Sequence, residues 1–172
     1  KRVLAMAFEP FMQIIRGLRG KRSNVGIGQI QNAQQMAFIR HLERERNQVD
    51  VLNLDLNKLN VVVFDIETTG FSPEKGDGIL SIGATKMCGT TILEENFYSV
   101  VNYDKDIPPE IVALTGITNE QVKEARPLAD ILIEFFQFTQ NSTLVAHHSV
   151  HKKNFMQHAS TKLFRTPFKH RI

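Results

Sequence analysis

At 172 residues, 42% of them apolar, the chain is long enough for one α/β domain plus an appendage and has the apolar content of a globular protein. It contains no apolar run of about 18 residues, which excludes a transmembrane helix. A single cysteine, Cys88, excludes an internal disulfide framework and argues against a cysteine-based zinc site. A reducing, cytoplasmic setting is the expectation. The opening Lys1-Arg2-Val3-Leu4 has neither an initiator Met nor a signal-peptide pattern and reads as the start of an internal fragment.

The net charge of +3 is unevenly spread. Residues 1–48 hold nine basic and three acidic side chains, a balance of +6, so the remainder sums to −3. This predicts a basic helical extension over residues 1–50, able to meet phosphate backbones, with a solvated helical face as the alternative. Within it, Phe8, Phe11, Met12, Ile15 and Leu18 recur at helical spacing, with Pro10 breaking or kinking the start. Gly26-x-Gly28 lacks a preceding strand and a third glycine, so it reads as a flexible connector rather than a nucleotide loop. A second helix is expected over Gln29–Arg46.

From Asn60 the pattern changes. Val61-Val62-Val63-Phe64 suits a central strand buried on both faces. Thr68-Thr69-Gly70 and Ser72-Pro73 break it. Strands at Ile79–Lys86 and about Glu95–Val101, joined through Gly89-Thr90-Thr91, read as an antiparallel hairpin. Pro108-Pro109 opens a short helix stopping near Gly116, and Asn119 can cap another. Leu128, Ile131, Leu132, Phe135 and Phe136 place the clearest helix over Pro127–Thr139. Thr143–Ala146 is a further buried strand, after which Ser149 caps a helix with Phe155, Ala159 and Leu163 on its apolar face. Strands alternating with helices after a hairpin mean an α/β sheet of mixed direction.

Asp65 and Glu67 lie two apart at the exit of the first strand, so both carboxylates share one face. With no adjacent Lys or Arg they repel, and one would hold its proton unless a cation makes both charges favourable. Oxygen ligands suit Mg²⁺ or Mn²⁺, and a pair of such ions about 4 Å apart can activate a water and stabilise the leaving oxygen of a phosphodiester. Asp-x-Glu alone is also met in ordinary surface loops. Its surroundings are more specific.

Val62–Gly70 (VVFDIETTG) resembles the first motif of the DnaQ-like (DEDDh) 3′–5′ exonuclease family, to which polymerase proofreading domains belong. The resemblance runs on through Ile79–Ala84 (ILSIGA), Ile107–Thr118 (IPPEIVALTGIT) and Leu144–His148 (LVAHH), covering about residues 60–160. It implies a ribonuclease H-like mixed β-sheet with flanking helices, in an exonuclease domain over residues 51–172. It also implies that Asp65 and Glu67 are catalytic and hold two Mg²⁺ or Mn²⁺ ions. The Thr68, Thr69 and Gly70 backbone and His147 would meet the terminal nucleotide of single-stranded DNA or RNA. The implied reaction is hydrolysis of the 3′-terminal phosphodiester, with release of nucleoside monophosphates.

The chain departs from the family pattern in two respects. The second motif carries a metal-binding Asp where this sequence has Lys152, and an ammonium there would pair with Asp65 or Glu67 and compete with metal. With Ser149 as cap, Lys152 falls at the third helical position, where the helix dipole favours acids. The third motif's His and Asp have no counterpart in Thr161–Ile172; His170 is expected at the start of a strand, and the C-terminal part of the fold is expected to be missing. Ser81 stands where some members carry a substrate-contacting Glu. These departures predict an exonuclease domain inactive in this form. The alternative is a non-catalytic nucleic-acid-binding module in which the basic arm and His151–Lys153 replace the ions as phosphate contacts. The apolar faces around Phe11 and Phe38 allow a third role, docking of a polymerase or helicase through residues 1–48, with core packing as the competing reading. No membrane partner is expected.

Overall fold

A computed structural model describes residues 25–46, 53–170 and 172. The helix expected around Phe8–Leu18, with most of the basic arm, lies outside the described residues. The chain divides into two compact units, Lys1–Ala33 and Gln34–Ile172.

The order of elements is α1 (Val25–Arg46), β1 (Asn60–Thr68), β2 (Ile79–Cys88), β3 (Thr91–Val100), α2 (Pro109–Thr115), α3 (Asn119–Glu124), α4 (Leu128–Phe138), β4 (Thr143–Val145) and α5 (Ser149–Phe164). Helix α1 starts at Val25, ahead of the expected Gln29, so Gly26 and Gly28 are helical and not a connector. The four strands form one sheet in the order β3-β2-β1-β4. β1 pairs antiparallel with β2 and parallel with β4, and β2 pairs antiparallel with β3. The mixed direction and the hairpin are as the sequence predicts. β3 begins at Thr91, four residues before the expected Glu95, because its first half is largely exposed and its apolar residues, Ile92 and Leu93, are adjacent, so it carries no apolar alternation.

Alternation sets the sheet's two faces. Val62, Phe64 and Ile66 are buried, whereas Val63, Asp65 and Glu67 are exposed. The expectation that β1 is covered on both sides is therefore corrected: Val63 is 40% exposed, and its β4 partner Val145 is 47% exposed. β4 is likewise only half-covered, with Leu144 its one buried residue. On the inner face, Phe64, Ala84 and Phe97 form a row across three strands. The small Ala84 leaves room for Phe135 of α4, whose ring lies 5.5 Å from Phe64 and 5.7 Å from Phe97. Burying a side chain of this size stabilises by roughly 1.5–3 kcal/mol.

Helix α4 presents Ile131, Leu132, Phe135 and Phe136 to this core, and α5 adds Phe155, Met156, Ala159 and Phe164. From α1, Ile39 and Leu42 are buried in the same cluster and Phe38 packs against it. Phe38 thus takes the packing role and not that of a free docking face. Leu80, Ile107, Ile117 and Val122 make a smaller cluster with α2 and α3. Gly116 ends α2 in the left-handed conformation (φ 71°), and an added Cβ would meet nothing there, so glycine serves the backbone alone.

Three expectations about local residues are corrected. Thr118, not Asn119, caps α3, through a reciprocal capping box with Gln121. His148, not Ser149, caps α5; it sits in the left-handed region (φ 49°) and makes no side-chain cap bond. His170 starts no strand. Its ring stacks on Phe136 and Phe168 at centroid distances of 5.7 Å and 5.0 Å.

Candidate active site

The extended backbone of β1 delivers Asp65 and Glu67 to the open face of the sheet, as their spacing predicts. Register places Asp65 opposite Gly83, itself opposite Tyr98, and Glu67 opposite the buried Ser81. The Tyr98 ring lies over Gly83, where a Cβ would stand 3.7 Å from it. A recess results, lined by Asp65, Glu67, Ser81, Gly83, Tyr98 and Thr115. Tyr98 is a wall of the site that motif reading missed; the pairing of β2 with β3 was the available signal.

The two carboxylates are not equivalent. Partial burial, followed by the neighbouring Asp65 charge, raises the Glu67 pKa above the ordinary carboxyl value, with Lys152 opposing. Asp65 is more open, its side chain 68% exposed, yet one oxygen is fully engaged. Asp65 Oδ1 accepts the Ile66 amide at 2.7 Å and lies 2.9 Å from the Lys152 Nζ. The Lys152 side chain is only 9% exposed. Because His148 is the cap, Lys152 occupies the fourth helical position and not the third. From there it reaches the site and pairs with Asp65, while Lys153 is exposed.

The loop after β1 closes on itself. Thr69 donates its amide to the Gly78 carbonyl at 3.0 Å, and its hydroxyl accepts the Gly78 amide at 3.0 Å. Asp77 accepts the Ser72 amide at 2.8 Å. A Cβ on Gly70 would stand 2.5 Å from the Asp77 carboxylate, so glycine here allows a close internal approach. Thr68 donates its hydroxyl to the Gly70 carbonyl at 2.8 Å. The loop leaves Phe71 87% exposed, with its ring 5.5 Å from His151. Burial first, then Lys152 and His148, lower the His151 pKa below the ordinary imidazole value, with Asp65 opposing. His147 is exposed and packs edge-on against His148, ring centroids 4.4 Å apart. Of the residues singled out from sequence, Asp65, Glu67 and Lys152 converge, Thr68–Gly70 form the adjoining loop, and no contact joins His147 to the carboxylates.

The donor chemistry can be tested against a divalent ion. Two carboxylates, one more open than the other, suit a hard cation that keeps several waters. No group of three or more His, Cys, Asp or Glu positioned for a metal occurs among the described residues. The ammonium on Asp65 takes one place that a second cation would need. The carboxylates suit a hard divalent ion, and the ammonium beside Asp65 competes with it for the same charge.

The family model for exonucleases of the RNase T group matches residues 62–172, more than half of the chain. The chain belongs to this exonuclease family. Its relatives include the DNA polymerase III subunit epsilon of Rickettsia typhi, 31% identical over 114 residues that make up 66% of this chain and 50% of that protein. The PolC-type DNA polymerase III of Streptococcus mutans is 38% identical over 110 residues, 64% of this chain and 7% of that one. The exonuclease chain thus spans half or less of these relatives. Among solved structures, the nuclease domain of 3′hExo, a DEDDh family member bound to rAMP, superposes with a TM-score of 0.56 at 21% identity, covering 67% of this chain and 66% of that one. E. coli exonuclease I in complex with a dT13 oligonucleotide gives 0.51 at 17% identity, covering 58% and 23%. At these identities the likeness shows the fold, and the sheet with its flanking helices is the ribonuclease H-like architecture expected. The family is one of metal-dependent exonucleases. No helix among the described residues is long and apolar enough to cross a membrane.

Proposed function

We propose that this chain is the 3′-end-recognising domain of a 3′–5′ exonuclease for DNA or RNA, and that with Lys152 in place it does not hydrolyse the terminal phosphodiester. The observation that carries this reading is the ion pair of 2.9 Å between Lys152 Nζ and Asp65 Oδ1, at the strand end where the family resemblance puts the metal ligands. In the intact family site two divalent ions supply an activated water and stabilise the leaving oxygen. Here Asp65 and Glu67 would hold Mg²⁺ or Mn²⁺, the Thr68–Gly70 backbone would position the terminal sugar, and Phe71 offers an exposed ring on which a base can stack. His147 would be a further nucleotide contact.

The test is hydrolysis of 5′-labelled single-stranded DNA and RNA in Mg²⁺ or Mn²⁺. This chain should leave the 3′ end intact. Lys152→Asp, placed in a chain that also carries the family's third motif, should shorten it, and Asp65→Ala in that background should abolish the activity. Efficient shortening by the present chain, or a repaired chain that never shortens a 3′ end, overturns the reading.

One observation favours a second reading, a non-catalytic nucleic-acid-binding module. The first turn of α5 has no acidic residue and carries His151 and Lys152, with the exposed Lys153 next in the chain. His151 and Lys153 would contact phosphates, as would the basic residues of the extension, giving binding that weakens with salt and ignores chelators. Binding that requires a divalent ion counts against it. By analogy with the polymerase subunits it resembles, the chain would work in the cytoplasm, and the extension over residues 1–48 would dock a polymerase or helicase. No membrane association belongs to this reading.

A further inference from the structure

The cation arrangement departs from the two-ion site in a specific way. Asp65 Oδ1 is saturated by the Ile66 amide and the Lys152 ammonium. The amide is fixed by the strand. The lysine is buried over nine-tenths of its side chain, and Asp65 is its one ion-pair partner among the described residues. Withdrawing it would leave a buried charge without compensation, which is costly. A divalent ion arriving at Oδ1 would therefore have to displace a group with nowhere to go. Asp65 Oδ2 and the Glu67 carboxylate, by contrast, take no hydrogen bond or ion pair among the described residues, and both residues line the recess beneath Tyr98. Charge balance favours the same division. One divalent ion beside the ammonium leaves these two carboxylates with a single net positive charge, matched to one phosphodiester. A second divalent ion would raise that to three, with the ammonium in repulsive contact.

We propose that Lys152 is a built-in cation that makes this a one-ion site: one divalent ion shared by Asp65 Oδ2 and Glu67, with the ammonium on Oδ1 in place of the second ion. The proposal rests on the nuclease-family reading of the carboxylate pair and specifies its ion content. It gives Lys152 a positive role, as a fixed charge beside the incoming phosphate, and not only that of a lost ligand.

The experiment is Mn²⁺ titration of the full chain, followed by the electron paramagnetic resonance signal of free Mn²⁺. The wild type should take up one ion per chain. Asp65→Asn and Glu67→Gln should each weaken that ion at least tenfold, which separates it from ions on the surface histidines. Lys152→Met should bind the same ion at least tenfold more tightly, and Lys152→Asp should bind two. If Lys152→Met does not fold, Lys152→Gln reports the same affinity change. Two ions in the wild type, an ion indifferent to Asp65→Asn, or unchanged affinity on loss of the ammonium overturns the proposal. Fluorescence polarisation of a 3′-hydroxyl oligonucleotide on the same samples tests the underlying reading separately. One bound ion without oligonucleotide binding sinks the nuclease reading, and oligonucleotide binding with two ions sinks only the ion count.

Discussion

At the scale of single residues, the loop behind Asp65 and Glu67 depends on Gly70. A methyl group there would meet Asp77 at 2.5 Å and push away the carboxylate that holds the Ser72 amide. Gly70→Ala should destabilise by about 1–3 kcal/mol in chemical denaturation. The double variant with Asp77→Ala should cost less than the two single changes together, since they share one contact. His151 gives a pH signature. Its lowered pKa means that the fold prefers the neutral ring, so below the ordinary value of 6.5 the unfolded chain takes up a proton first. Stability should therefore fall as the pH drops from 6.5 to the depressed folded value and level off below it. His151→Phe, which preserves ring packing against Phe71 and Phe155, should flatten that slope in urea melts taken across this range. What sequence could reveal at this scale was Asp65 and Glu67, because strand periodicity fixes their common face. That Lys152 would pair with one of these carboxylates was legible from the motif, and the structure has it on Asp65; the start of α5 was not legible. His148 in a left-handed conformation moves that start by one position from the expected Ser149, and no periodicity encodes such a shift.

At the scale of elements, legibility followed burial. Helix α4 was readable because its apolar residues form one unbroken stripe. β3 was half-readable because its outer half is exposed at the sheet's edge and nothing selects for alternation there. The cap of α3 was missed although its signal was present: Thr118 and Gln121 stand at capping-box spacing, and Asn119 drew attention only as a common capping residue. Thr118→Ala should cost about 1 kcal/mol, measurable by thermal denaturation. Asn119→Ala tests a different contact, since the Asn119 side chain accepts the Ile107 amide at 2.8 Å.

At the scale of the whole molecule, burial along α1 bears on where the extension ends. The part of α1 from Gln34 onward belongs to the larger compact unit, where Ile39 and Leu42 are buried and Gln35 donates to Asp130 at 3.2 Å. A chain beginning at residue 49 loses both apolar side chains and should be less stable by about 3–6 kcal/mol, whereas one beginning at residue 34 keeps these contacts. Melting temperatures of the two truncations decide the matter. Charge counting does not see this burial, because the helix carries basic residues and buried residues on the same turns.

Among the described residues, β4 contributes three residues to the sheet and pairs with β1 alone. Its other side therefore presents amides and carbonyls in extended register, flanked by the half-exposed Val145. Such a margin is a template for strand addition by any chain that meets it. The isolated protein should thus self-associate as its concentration rises, and Val145→Lys should hold it monodisperse in sedimentation velocity runs without disturbing Leu144 on the opposite face.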